Sequence, residues 1–326
     1  LAPSLLLLAY FRSRDAYPEP ARVVWTTFAL GVLTALPVVA VALPLSDLVG
    51  AGADPILRGA YGAFVLAAIP EETFKLAVLL YYARRHSAFD EPMDGLVYGV
   101  AASLGFATLE NVLYVMGGGM QVALLRSVTA IPAHATMGAI MGYYVGQAHF
   151  TPARARALLW RAWWVPTLIH GLYDLPLLSA RAAVESAQES ALVLALLFFV
   201  PVVLIFALVW AFRLARGLRA LQLSGPPGGP GISPAVAVDL APHLAPPGRP
   251  ASPLLWALTI LGGLLVTGGL LFAGAVLLAA RAGLDGAGLL VGLALGLLPA
   301  LVGGLLFRYA VRRLNQHDRL RVLGPR

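Results

Sequence analysis

The chain contains no cysteine in 326 residues. That absence removes thiol nucleophiles, disulfide frameworks, Cys-ligated zinc and iron–sulfur clusters. Charge is scarce as well. Asp, Glu, Lys and Arg together make up 12% of the residues, about half the roughly 25% found in soluble domains. A water-soluble fold of this size has too few charges here to cover its surface. What the chain has in abundance is apolar residue, 59% of the total, with a mean hydropathy of +0.81. The composition is that of a polytopic membrane protein.

The net charge of +7 would suggest nucleic acid in a soluble protein. The basic residues instead sit in short clusters between apolar runs, and no basic surface alternates with stacking aromatics, so a nucleic-acid partner is not expected. The partner implied throughout is the lipid bilayer. The first residue is Leu1 rather than Met, and the half-length run 1–11 reads as the tail of a span that begins upstream.

A helix that crosses the hydrocarbon needs about 20 apolar residues. Runs of that kind lie near 22–45, 56–82, 94–116, 122–148, 162–180, 190–212, 254–280 and 288–311. The expected fold is all-α, a transmembrane helix bundle of about eight or nine spans. The organisation reads as a core over 1–223 with its polar helices at 56–180, a linker over 224–253, and a helical hairpin with a basic tail over 254–326. The linker holds nine prolines and five glycines in thirty positions and is expected to be extended. In the hairpin, Gly288, Gly292 and Gly296 share one helix face, a stripe that suits packing within the bundle or a homodimer.

Loop charges alternate. Arg12 and Arg14, Arg84 and Arg85, Arg154 with Arg156 and Arg161, Arg213 with Arg216 and Arg219, and the Arg312–Arg321 tail fall on one side. Arg58, Arg126, Arg181 and Arg281 fall on the other, beside Asp47, Asp54, Glu185, Glu189 and Asp285. The positive-inside bias puts the first set and the C-terminus in the cytoplasm and the first visible residues outside.

An ionisable side chain at membrane depth costs about 2.5–3.5 kcal/mol on insertion scales, so each one is a candidate for function. They are segregated in the four spans between 56 and 180. Glu71 and Glu72 follow Pro70 and point about 100° apart on a helix, so one can face a cavity and the other a neighbouring helix. Lys75 is within reach of both. Glu110 and Asn111 follow Phe106 in the next span, and His134 lies mid-span in the third. In the fourth, His170 and Asp174 share a face at spacing four, with Tyr173 between them. Three glutamates, two histidines and an aspartate on adjacent helices can perform acid–base chemistry on water, hold a metal, or relay protons.

These residues resemble the PrsW family of intramembrane glutamic-type proteases, which are relatives of the CAAX prenyl endopeptidases. The likeness rests on Glu71-Glu72-x-x-Lys75, Phe106-x-x-x-Glu110-Asn111, His134 and His170-x-x-Tyr173-Asp174, in order on successive spans. It implies that Glu71 activates water, that Glu72 and Lys75 set its position and charge, that His170 binds the oxyanion, and that Glu110 helps to hold the water. Asp174 is expected to orient His170, and His134 has no clear counterpart in the CAAX enzymes. The family role implies a first cut in a single-span anti-sigma factor. Two further readings stay open. One is a metal-dependent protease using the same Glu and His residues with an ion such as zinc, although no His-Glu-x-x-His is present. The other is a proton- or ion-coupled transporter, against which stands the lack of a second polar set in the other half. No cofactor follows from the residues themselves.

Overall fold

A computed structural model describes residues 1–187 and 191–224, with 293–294, 297–298, 300–306 and 308–309 farther on. The linker after Ser224, most of the C-terminal hairpin, and Gly288, Gly292 and Gly296 lie outside the described residues. The chain divides into two compact units, Leu1–Ala245 and Pro246–Arg326. In the second, all of the described residues are helical.

The first unit is a bundle. Its elements are α1 (Ala2–Arg14), α2 (Ala21–Leu33), α3 (Ala35–Leu45), α4 (Pro55–Ala60), a π-helical segment (Tyr61–Ala68), α5 (Ile69–Tyr81), α6 (Pro92–Val128), α7 (Ala130–Phe150), α8 (Ala155–Glu185), α9 (Ala191–Leu196) and α10 (Phe199–Ser224). No strand occurs among the described residues. The fold is all-α.

Among the described residues, three helical stretches are long and apolar enough to cross a membrane: Ala21–Leu45, Pro92–Phe150 and Leu192–Leu223. They play different parts. The most apolar window of Pro92–Phe150 is 72% buried, against 11% for Leu192–Leu223. The first is therefore the centre of the bundle, while the second and Ala21–Leu45 turn apolar side chains such as Leu36, Leu43 and Phe199 outward. Apolar exposure of that kind suits hydrocarbon rather than water.

Local chemistry sets the boundaries. Asp54 caps α4 by accepting from the Ile56 and Leu57 amides at 2.9 and 3.2 Å, with Pro55 in the first turn. Glu91 and Asp94 form a capping box at the start of α6, again with Pro in the first turn. The spans read at 94–116 and 122–148 correspond to α6 and α7, but their division differs from the reading. Helix continues on both sides of Gly119, whose φ of 70° turns the chain back. The rest of α6, through Arg126, then returns beside residues 110–111 before α7 begins.

The antiparallel seam between α6 and α7 is built from glycine. A Cβ on Gly142 would collide with the Gly95 carbonyl, and one on Gly99 with the Gly138 carbonyl. The repeat Gly138, Gly142, Gly146 is a stripe at spacing four, as legible in the sequence as the one at 288–296. It lets two backbones touch, which is how helices associate where no hydrophobic effect drives them together. Gly105 of α6 is pressed against the Phe28 backbone of α2.

Candidate active site

The chain around the glutamate pair is not regular α-helix. Tyr61–Ala68 is π-helical, and the Ile69 amide reaches the Phe64 carbonyl five residues back. Pro70 follows with no N–H to offer. Such wide turns cluster at functional sites. The Phe64 ring lies over Gly171 of α8, where a Cβ would overlap it. Next to Gly171 is His170. The Trp163 indole donates to Thr73 Oγ1 at 2.9 Å, so α8 is tied to the π-helical segment on one side of the pair and to α5 on the other.

Lys75 is the hub, with a side chain that is 1% exposed. Its ammonium donates to Glu71 Oε2 at 3.0 Å, Glu72 Oε1 at 2.8 Å and His134 Nδ1 at 3.2 Å. The Phe106 ring closes the remaining side, its centre 4.3 Å from Nζ. The two glutamates have different surroundings. Glu72 is sealed from any opening, and its Oε1 lies 2.8 Å from His170 Nδ1 as well as on Lys75. Glu71 lines the space beyond.

That space is a cavity of about 220 Å³ bounded by Glu71, Glu110, Arg126, His134, His170, Tyr173 and Asp174. His134 Nε2 lies 2.9 Å from Glu110 Oε2, and His170 Nε2 lies 3.1 Å from Asp174 Oδ2. The two imidazoles meet edge to face with centres 5.3 Å apart. A larger groove of about 430 Å³ opens beside it and shares Glu71 and Glu110. Its walls include Ala35, Val38, Leu66 and Leu113.

All six acid and imidazole residues singled out in the sequence thus meet in one cluster, with Lys75, Phe106 and Tyr173. Asn111 contributes at one remove, since its Oδ1 accepts from Arg126 Nε at 2.6 Å. Arg126 was placed by its sequence among the loop arginines opposite the basic side. It instead turns inward, with Nη2 2.8 Å from Glu110 Oε2 and its guanidinium 3.8 Å from the centre of the Tyr114 ring. Its sequence signal was faint: a single arginine between two apolar runs. Ser103 donates to the His134 carbonyl at 2.7 Å and is part of the packing.

A family profile described as "PrsW family intramembrane metalloprotease" matches residues 19–207, which contain the entire cluster. The chain belongs to the PrsW family. It is similar to Protease PrsW of Geobacillus kaustophilus (strain HTA426), 39% identical over 180 residues that make up 55% of this chain and 78% of that protein. It is equally similar to Protease PrsW of Bacillus subtilis (strain 168), 39% identical over 177 residues, 53% of this chain and 78% of the relative. Protease PrsW of Clostridioides difficile (strain 630) is 31% identical over 182 residues, 53% of this chain and 75% of the relative. No solved structure matches. As a PrsW-family protein the chain is a peptidase of the intramembrane class, and its apolar helices place it in a membrane.

The family's description raises the question of a metal. Glu71, His134 and His170 each offer one donor atom, all within 4.8 Å of one another. One carboxylate and two imidazoles form a donor set that suits zinc. Glu72 on His170 Nδ1 is the kind of outer carboxylate that fixes a metal-bound imidazole. The residues fit the ion by type. Lys75, however, is a cation already held between two of the three donors, Glu71 and His134.

Proposed function

We propose that the chain hydrolyses peptide bonds within membrane-embedded substrates by means of a water activated by Glu71. The observation that carries this reading is the asymmetry of the pair: Glu71 borders the cavity and the groove, whereas Glu72 is enclosed between Lys75 and His170.

Glu71 takes a proton from water as the oxygen attacks the scissile carbonyl carbon, and returns it to the departing amine nitrogen. The carbonyl oxygen becomes an oxyanion, which needs donors fixed in advance. The Arg126 guanidinium borders the cavity and can face it, and His170 can turn its Nε2–H to the oxyanion when that group leaves Asp174. Glu72 and Asp174 hold His170 by its two ring nitrogens, and Glu110 holds His134 and Arg126. Lys75 balances the glutamate pair, so that Glu71 can cycle between its charged and neutral forms.

A second reading has a specific observation behind it, the convergence of Glu71, His134 and His170. These three would hold a zinc-type ion, which when bound would supply Lewis acidity to the water and the carbonyl. In that case Glu72 keeps its role on His170, and Glu110 and Arg126 remain at the cavity wall.

The groove fits a substrate that is itself apolar, which supports a single-span membrane protein; the family resemblance suggests an anti-sigma factor. The arginine-rich end is then cytoplasmic, in a bacterial inner membrane crossed eight or nine times. The test is proteolysis of a single-span anti-sigma factor by the full chain in detergent, comparing wild type, Glu71→Gln and wild type with chelator. Cleavage lost in Glu71→Gln and retained with chelator is expected. Loss with chelator and recovery with zinc would replace the metal-free mechanism with the second reading. An intact substrate, together with an intact panel of other membrane peptides, would overturn the substrate class.

A further inference from the structure

A second group of carboxylates lies at the arginine-rich end of the first unit and has no part in the chemistry above. Asp15 and Glu19 come from the loop between α1 and α2, and Glu91 and Asp94 from the start of α6. All four are at least nine-tenths buried, with exposures of 5%, 5%, 1% and 0%. Oxygens of Asp15, Glu19 and Asp94 all lie within 4.8 Å of one another.

Ordinary structural roles account for only half of these oxygens. Asp15 Oδ1 accepts from the Tyr17 amide at 2.9 Å and from Gln222 Nε2 at 2.7 Å. Asp94 Oδ2 accepts from the Asp90 and Glu91 amides at 2.8 and 2.7 Å, which completes the helix cap. Glu91 Oε1 accepts from Gln222 Nε2, and Glu19 Oε2 from the Tyr98 hydroxyl. The second oxygens of Asp15, Glu91 and Asp94 are buried with no hydrogen-bond donor.

Among the described residues none of these four carboxyl groups is ion-paired. The nearby guanidinium groups serve backbone carbonyls instead: Arg12 that of Glu19 at 3.0 Å, and Arg219 those of Ser13 and Arg14 at 3.0 and 2.8 Å. A buried carboxylate oxygen left without a partner is costly, and two members of the convergent set, Asp15 and Asp94, each carry one.

We infer that Asp15, Glu19 and Asp94, with Glu91 beside them, form a binding site for a hard divalent cation of the Ca²⁺ or Mg²⁺ class. The donors are all oxygen, and with no nitrogen or sulfur among them the set selects against zinc or copper. Ca²⁺–oxygen distances of about 2.3–2.6 Å put opposite ligands about 4.6–5.2 Å apart, while the shorter bonds of Mg²⁺ require about 4.0–4.2 Å. Donor atoms that all lie within 4.8 Å of one another can close on either ion. Through Gln222 the site also reaches α10, so one ion clamps α1–α2, α6 and α10 together. Asp94 and Glu110 lie on the same helix sixteen residues apart, about 24 Å along its axis. The site is thus separate from the Glu71 cluster.

The test uses the full chain in detergent, stripped with chelator and titrated with Mn²⁺ as a spin probe. One Mn²⁺ per chain is expected, displaced by Ca²⁺ or Mg²⁺, with the better competitor identifying the resident ion. Asp15→Asn, in a loop and outside the helix cap, should weaken Mn²⁺ at least about tenfold. Asp94→Asn should do the same where it folds, and Glu71→Gln should leave binding unchanged. No bound Mn²⁺ at millimolar concentration would overturn the inference. So would binding abolished by Glu71→Gln and untouched by Asp15→Asn.

Discussion

Lys75 Nζ lies 3.2 Å from His134 Nδ1, across 59 residues of sequence. An ammonium can only donate, so Nδ1 accepts and the ring proton sits on Nε2, where it faces Glu110 at 2.9 Å. One contact therefore sets the tautomer of His134 and connects the glutamate pair on α5 to the carboxylate on α6.

Removing the hub should be severe. Lys75→Met leaves Glu71 and Glu72 buried without their cation, and breaking one side of such a pair costs about 3–5 kcal/mol. A large drop in the melting temperature in detergent is expected, with cleavage lost. A variant that melts like wild type would show that the glutamates have another partner.

Glu71 and Glu72 should respond differently to the same change. Glu71→Gln is expected to end cleavage with little effect on melting, because that side chain borders the cavity. Glu72→Gln should lower both, since it disturbs Lys75 and His170 at once. Equal losses of stability would contradict the division of roles.

Arg126 faces the cavity as an oxyanion donor and is held in place by Glu110 and Asn111. Arg126→Gln should reduce kcat by about tenfold or more, with Arg126→Lys in between. The decisive measurement is a double-mutant cycle with Glu110→Gln: coupled residues give a strongly non-additive pair, and independent ones give additive losses.

The glycine seam should tolerate no side chain. Gly142→Leu would drive α6 and α7 apart at the Gly95 carbonyl, and overpacking of this kind costs about 1–3 kcal/mol. Thermal unfolding in detergent measures it.

At the other end, burial pushes the Glu91 carboxyl up to about 8 and that of Glu19 up to about 7, against hydrogen bonds from Gln222 and Tyr98. With folded values above the unfolded one of 4.5, the folded state holds more protons across that window. This contribution is complete below the unfolded value and is lost as pH rises through 7 to 8. Chelator-treated protein should therefore melt at lower temperature at pH 9 than at about pH 6. Glu91→Gln should flatten the dependence.

Much of the candidate site was legible because its parts are local. Spacing alone put Lys75 within reach of both glutamates and placed His170 and Asp174 on one face, since helix geometry ties those positions together whatever surrounds them. Arg126 was not legible, because its inward turn depends on the reversal at Gly119. Nor were Asp15 and Glu19, which in sequence look like an ordinary polar loop beside arginines. Only the docking of that loop on the start of α6 buries them.

The amino-acid sequence by itself determined the helical, membrane-embedded character of this PrsW-family chain and the residue types of its polar core. Both follow from composition and from a period of 3.6 residues, which act within a single segment. Tertiary structure decided which glutamate borders the cavity, that Lys75 bridges to His134, and that Glu72 meets His170 across 98 residues. Such contacts depend on the rotation of each helix about its axis and on how closely its neighbours approach. Those are set by packing between segments, with glycine at the seam of α6 and α7 and a π-helical turn ahead of Pro70.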